Sequence, residues 1–245
     1  MKKLIKAIYK RIFSAKQRDF IELKLFRPKY LKGNTKDIFE HIYVSNVWGS
    51  SESFSGTGSE LSKTRDLINY LNKLTHAYNI RNIFDVPCGD FNWMQRVNLD
   101  GIKYTGGDIV DKMIEENNKQ YRKENIEFVS WNLITDKIET SYDMVINRDC
   151  FVHLSFNDIQ RSLNNIIDSG TKYLLTTSFV KTKENLDMST GGRWRPINLS
   201  LPPFNFPKAI EFFEETNAEI GWEGNKTMSL YLIADLKKYV VSANK

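Results

Sequence analysis

The sequence predicts an α/β fold on a mostly parallel sheet with an antiparallel C-terminal strand, and three observations carry that expectation. Apolar runs of strand length alternate with stretches of helical spacing from residue 60 onward. Two of the runs, Ile83-Phe84-Asp85 and Lys103-Tyr104-Thr105-Gly106-Gly107-Asp108, finish in a carboxylate. Two short β-rich runs, joined by Glu223-Gly224-Asn225-Lys226, close the chain as a hairpin. With 245 residues and 41% hydrophobic content, the chain is long enough for one such domain plus an N-terminal extension, and too apolar for disorder.

Each element follows in order. A helix is predicted over 60–78, with Ser59 or Ser62 as its cap and Leu61, Leu67, Ile68, Leu71 and Leu74 on its inner face. The first strand is placed at 81–86, a two-turn helix at 91–97 and the second strand at 103–108. A helix at 110–122 leads to a third strand at 126–130, and a fourth lies at 142–147. Helix 156–167 precedes the fifth strand at 173–178. An irregular insertion follows at 180–207, rich in Gly, Pro, Trp and Arg. A helix at 208–217 and strands at 218–222 and 227–236 complete the chain.

The formal charge of +5 misdescribes this domain. Residues 1–18 hold seven cations and no acid, and the remainder carries 28 cations against 30 acids. The basicity belongs to the tail, so no nucleic-acid-binding face is expected. The tail also places Leu4, Ile5, Ile8, Ile12 and Phe13 at helical spacing. Such a helix either packs on the domain with its lysines in water or lies as a peripheral contact on an anionic membrane surface. No run approaches the roughly 18 apolar residues of a membrane span, and no signal peptide is read. Cys88 and Cys150 belong to no Cys-x-x-Cys or Cys/His cluster, so a reducing cytoplasmic setting is expected, without zinc.

Strand-ending acids point to a ligand. In a parallel sheet both Asp85 and Asp108 stand beside the crevice at the C-terminal edge, and Asp108 suits a ribose diol. The turn Pro87-Cys88-Gly89-Asp90 carries a single glycine, whereas a pyrophosphate needs a Gly-rich turn at a helix N-terminus. A second carboxylate repels a pyrophosphate and attracts a cation. S-adenosylmethionine has a ribose, no phosphate, a sulfonium and an ammonium, and it fits.

At Asp85-Val86-Pro87-Cys88-Gly89 the chain resembles the class I S-adenosylmethionine-dependent methyltransferases, whose first motif is an apolar strand followed by Asp-x-Gly-Cys-Gly. Pro87 departs from the usual Gly, and Phe91 stands where another Gly is common. The terminal hairpin agrees with the antiparallel seventh strand of that sheet. The resemblance implies a methyltransferase domain over 60–245, with residues 1–59 as an N-terminal basic helix and lid segment. Residues 48–60 are either a flexible joint or a lid over the cofactor, with Trp48, Ser55 and Gly58 as cofactor contacts. It further implies that Asn132 bonds the adenine amino group, and that Trp131 either stacks on the adenine or caps the core beneath it. Asp85, Gly89, Asp108 and Arg148 complete the expected cofactor set.

The fourth strand ends Asn147-Arg148-Asp149-Cys150-Phe151-Val152-His153, the edge that faces the transferring methyl in the resembled enzymes. A hydroxyl acceptor needs a base, and His153 is the histidine beside this edge. Asp149 is expected to orient His153 or to act as the base itself; the alternative is that Asp149 caps the next helix and His153 packs beneath the cofactor. No tight carboxylate cluster supports a metal-assisted reaction. In the insertion, Arg193 and Arg195 offer forks for a carboxylate or phosphate, Trp194 a flat apolar surface, and Asn198 a further acceptor contact. The alternative is a solvated loop.

The combined pattern Asn46-x-Trp48-Gly49, Ser53-x-Ser55-Gly56-x-Gly58-Ser59, Asp85-x-Pro87-Cys88-Gly89-Asp90 with Trp93, Arg148-Asp149-Cys150 and His153-Leu154 resembles bacterial methyltransferases of capsule and surface-polysaccharide biosynthesis. That implies O-methylation of a sugar, a sugar phosphate or nucleotide-sugar, or a phosphate-type (phosphoramidate) decoration. Three rivals are a nicotinamide oxidoreductase, a non-catalytic cofactor-binding partner subunit and a nucleic-acid methyltransferase. The first needs a glycine-rich turn and the third a basic face, both absent from this sequence, and the second would carry an apolar end to the fourth strand in place of Arg148, Asp149 and His153.

Overall fold

The computed structural model describes residues 33–215 and 225–238. The expected basic helix at 1–18, the strand at 218–222 and the first half of the turn after it lie outside these residues. Along the described chain run helix α1 (Thr35–Val44), α2 (Leu61–Ala77), strands β1 (Asn82–Asp85) and β2 (Lys103–Asp108), and α3 (Asp111–Tyr121). Then come β3 (Ile126–Ser130), β4 (Met144–Asn147), α4 (Phe156–Asp168), β5 (Tyr173–Phe179), β6 (Glu211–Glu214), β7 (Lys226–Leu232) and α5 (Ile233–Leu236). Among the described residues, no helix is long and apolar enough to cross a membrane.

The strands form one seven-stranded sheet in the order β3-β2-β1-β4-β5-β7-β6. The first five are parallel; β7 pairs antiparallel with both β5 and β6. The strand order reverses between β1 and β4, which is where an open α/β sheet leaves a crevice for ligands. Successive side chains of β1 point to opposite faces, so Ile83 joins the core under α2 and α3 while Phe84 joins the core under α4. Leu67, Leu71 and Leu74 of α2 fill the first layer. Ile159, Leu163 and Ile166 of α4 fill the second, at the spacing of one helix face. Ser155 caps α4 by accepting the Asp158 N–H at 3.1 Å.

Several local expectations change. Neither Ser59 nor Ser62 caps α2; Glu60 occupies the N-cap, and the Leu61 N–H is taken by the Glu52 carboxylate at 2.7 Å. The predicted helix at 91–97 contracts to a 3₁₀ turn at Met94–Arg96. The predicted helix at 208–217 is replaced by strand β6, because Glu-Phe-Phe-Glu alternates: Phe213 stacks on Tyr70 while Phe212 faces out. The strand expected at 227–236 ends at Leu232, where α5 begins.

Helix α1 was not anticipated, although its start is written in the sequence. Asn34 and Asp37 form a reciprocal capping box, and Ile38 and Ile42 bury one face beside Trp48. The 180–207 insertion is a packed structure rather than an open loop. Ile197, Leu199, Phe204 and Phe206 enter the α4-side core, and the Phe179 N–H donates to the Ile197 carbonyl at 2.8 Å.

Candidate active site

The C-terminal edges of β1, β2 and β4 open into a cavity of about 370 Å³, roofed by α1, the 48–60 segment and the insertion. Its floor is the turn after β1. Gly89 there has φ +58°, and its N–H donates to Asp108 Oδ2 at 3.1 Å. A Cβ on Gly89 would stand 2.2 Å from Ser55 Oγ, so the lid can approach this turn only over a glycine. Asp90 makes the clamp: its carboxylate accepts from Ser53 Oγ at 3.0 Å, the Phe54 N–H at 2.7 Å and Ser55 Oγ at 3.1 Å. Asp90 therefore fastens the 48–60 segment to the turn after β1 rather than lying open to a ligand's charge.

The two strand-ending acids are buried. Asp85 accepts from Tyr104 Oη at 2.8 Å, and burial pushes its pKa up to about 7. Asp108 accepts from the backbone N–H groups of Gly89, Ile109 and Val110, and burial raises it to about 6 against those bonds. Burial disfavours the ionised form of each, so a cation or a pair of hydroxyl donors entering the cavity restores it. Beyond Asp108 the wall is Val110, Met113, Leu133 and Ile134, with Asn132 beside them. Asn132 Oδ1 already accepts the Ile134 N–H at 3.0 Å and closes the turn after β3. Trp131 packs its ring edge against Phe84, and its buried Nε1 has no protein partner.

At the end of β4, His153 lies on a 3₁₀ turn, Phe151–His153, with its ring stacked on Trp48 at 5.1 Å and edge-on to Phe39. Its Nδ1 lies 2.6 Å from the Arg193 carbonyl oxygen. A carbonyl only accepts, so Nδ1 carries the proton and Nε2 keeps its lone pair. Burial lowers the pKa of His153 and keeps the ring neutral. Asp149 does not orient this imidazole; the Arg193 carbonyl does. Burial would raise the Asp149 pKa, but the Lys226 ammonium at 2.5 Å and the Arg148 guanidinium at 3.4 Å hold it down to about 2. So acidic a group is a poor proton acceptor, which corrects the expectation of Asp149 as base.

Twelve of the expected residues line the one cavity: Trp48, Ser55, Gly58, Asp85, Gly89 and Asp108, with Trp131, Asn132, Arg148, Asp149, His153 and Trp194. Three expectations for side chains fail. Arg195 is buried, and its guanidinium donates to the carbonyls of Leu186, Phe151 and Leu154 at 2.5–2.8 Å, so it presents no fork to an acceptor. Asn198 is buried too, donating to the Val180 and Thr182 carbonyls and shaping the insertion. Arg193 does not line the cavity; what it contributes there is its carbonyl, to His153. Arg148 reaches the wall, but its guanidinium is taken by Glu215 at 2.7 Å and by the Gly58 carbonyl at 2.9 Å, so it holds the lid instead of a ligand.

Sequence reasoning missed Phe39, Ile42 and Tyr43 of α1, and Phe179, Glu215 and Lys226 from the β5–β7 edge. The capping box at Asn34 would have revealed the first group. No local signal marks Glu215 and Lys226, whose partners on the β4 edge, Arg148 and Asp149, are more than sixty residues away.

No protein-family model matches the chain. No curated protein matches it either. Solved structures do. Human N-acetylserotonin methyltransferase, in complex with S-adenosylmethionine, matches over 89% of this chain and 67% of its own, with TM-score 0.54 and 12% identity. The methyltransferase domain of bacterial CtHen1 matches over 71% of this chain and all of its own, with TM-score 0.52 and 12% identity. The N-methyltransferase NodS from Bradyrhizobium japonicum matches over 69% and 94%, with TM-score 0.51 and 9% identity. With the parallel β3-β2-β1-β4-β5 order closed by an antiparallel β7-β6 pair, the chain has the Rossmann-like fold of the methyltransferases.

Proposed function

We propose that the protein is an S-adenosylmethionine-dependent O-methyltransferase. The observation that carries the reading is Asp108: a buried carboxylate at the end of β2, facing the cavity, with backbone N–H groups as its hydrogen-bond partners and lone pairs left for a ribose diol. The rest of the cavity fits the same ligand. Asp85 and Asp108 favour a cation, the turn after β1 carries the single glycine Gly89 where a pyrophosphate needs a glycine-rich turn, and Val110, Met113 and Ile134 supply an apolar slot for a base. When bound, S-adenosylmethionine supplies a methyl group on a sulfonium, an electrophile whose leaving group is neutral.

The residues of this chain do the remaining work. Asp90, Ser53 and Ser55 hold the lid down over the β1 turn, which excludes water. His153, neutral and fixed by the Arg193 carbonyl, takes the acceptor's proton at Nε2. The acceptor is a hydroxyl compound; its assignment to a sugar of a surface polysaccharide, or a precursor of one, rests on the sequence pattern running from Asn46 to His153. The phosphate-type alternative rests on the same sequence pattern and gains nothing from the insertion, since Arg195 is occupied and Arg193 lies off the cavity.

Titration calorimetry with S-adenosylhomocysteine tests the cofactor assignment. Wild type should bind it in preference to NADH, and Asp108→Ala should weaken binding by about 1.5–3 kcal/mol, the worth of hydrogen bonds to a charged group. Equal affinity in the variant removes Asp108 from the site, and preference for NADH removes the methyltransferase reading.

A further inference from the structure

Four charged side chains meet on the cavity wall at the end of β4. Arg148 and Lys226 supply two positive charges, and Asp149 and Glu215 two negative ones. Arg148 and Glu215 are paired with each other and buried. Lys226 Nζ sits 2.5 Å from Asp149 Oδ2 and 3.4 Å from Glu215. Asp149 Oδ1 is left without a protein partner, on a residue that lines the cavity with its backbone at φ +53°. A buried carboxylate oxygen with no donor is costly, so a ligand that brings an O–H to it is favoured.

Beside this pair stands an aromatic wall. Phe179 is the cross-strand partner of Lys226, and Trp194 packs on Phe179 at 5.3 Å, nearly perpendicular, while staying 38% exposed. His153 lies four residues from Asp149 on the same edge.

Given the methyltransferase reading, on which this rests, we propose that Asp149, Lys226 and Trp194 form the acceptor subsite and that it takes an uncharged sugar ring. A hydroxyl both donates and accepts, so two neighbouring hydroxyls match a carboxylate oxygen and an ammonium side by side. The C–H face of a pyranose is apolar and matches an indole surface. Charge points the same way. The four-membered cluster is neutral, so it has no surplus for an anion or a cation. The whole cavity is lined by Lys63, Arg148 and Lys226 against Asp85, Asp90, Asp108, Asp149 and Glu215, so even with the buried Asp85 and Asp108 protonated it offers no net positive charge to a phosphorylated acceptor.

The test titrates the full chain, with and without saturating S-adenosylhomocysteine, with the methyl glycosides of glucose, galactose, mannose and fucose. Glucose 6-phosphate and glucosamine serve as anionic and cationic counterparts. Saturation-transfer NMR reports the bound face and tryptophan fluorescence the affinity. At least one neutral glycoside should bind more tightly than either charged sugar. Trp194→Ala, at a partly exposed position, should weaken that binding tenfold or more while leaving S-adenosylhomocysteine affinity within about twofold. Asp149→Asn, which keeps the shape but loses the charge-assisted bond, should also weaken it. Preference for the phosphate or the amine, no glycoside bound at all, or indifference to Trp194→Ala overturns the subsite. If wild type binds a glycoside but not S-adenosylhomocysteine, the methyltransferase reading fails while the sugar site stands.

Discussion

His153 shows how one hydrogen bond decides a residue's chemistry. Its Nδ1–H is tied to the Arg193 carbonyl, so the ring presents a basic Nε2 whatever the bulk tautomer preference. His153→Ala should lower kcat by about 10²–10⁴, the usual range for a lost general base, with cofactor affinity retained. Because burial lowers the pKa, the rate should rise with pH along a limb centred below the ordinary value of about 6.5, and that limb should vanish in the variant. A near-wild-type rate in His153→Ala would mean that no base is needed. Asp108 carries the opposite sign. Its folded pKa, about 6, lies above the unfolded 3.8, so its contribution to stability is present below 3.8 and lost as pH rises through 6. A ligand that binds the ionised form recovers that loss. The thermal shift caused by S-adenosylhomocysteine should therefore grow between pH 5 and pH 8, and should flatten in Asp108→Ala.

Among the elements, the insertion was the hardest to judge by composition. Gly-Gly-Arg-Trp-Arg-Pro reads as a functional loop, yet its second arginine is a fastener. Arg195 closes three carbonyls, two of them on the 3₁₀ turn and cap that carry His153. Replacing it by Met leaves those acceptors unpaired, at roughly 1–3 kcal/mol for each group that water cannot reach. Arg195→Met should thus lower the urea midpoint strongly. Acceptor KM in the protein that remains folded should change little, and a raised KM at unchanged stability would restore Arg195 to the substrate. The 48–60 segment shows the reverse case. Residues 48–60 have a linker's composition, but Glu52, Ser53 and Ser55 anchor them to Leu61, Asn92 and Asp90.

For the whole molecule, the sheet's closing strands matter as much as its central ones. Glu215, just past β6, and Lys226, at the start of β7, bring the C-terminal part of the chain to the edge of β4. Glu215→Gln removes the charge that neutralises buried Arg148, and breaking such a pair costs about 3–5 kcal/mol. The expected result is a lower urea midpoint at unchanged slope, together with faster proteolysis of the 53–59 lid, whose Gly58 carbonyl Arg148 holds. A change of less than about 1 kcal/mol would show that Arg148 finds another partner.

By itself the sequence determined the parallel core and the edge at which the cavity opens. Central strands are buried on both faces and read as apolar runs, and a strand's last residue lies at the crevice whatever surrounds it, so the places of Asp85, Asp108 and His153 beside the cavity were legible from position, while Gly89 and Asn132 were reached through the family resemblance. Only the tertiary structure decided which polar side chains remain available. Arg148 and Arg195 look like ligand-binding groups in the sequence, but their partners, Glu215, Gly58, Phe151 and Leu154, come from 41 to 90 residues away. It decided β6 as well, since Glu-Phe-Phe-Glu becomes a strand by pairing with β7. Burial and pairing are properties of distant neighbours, and no local pattern of residue types encodes them.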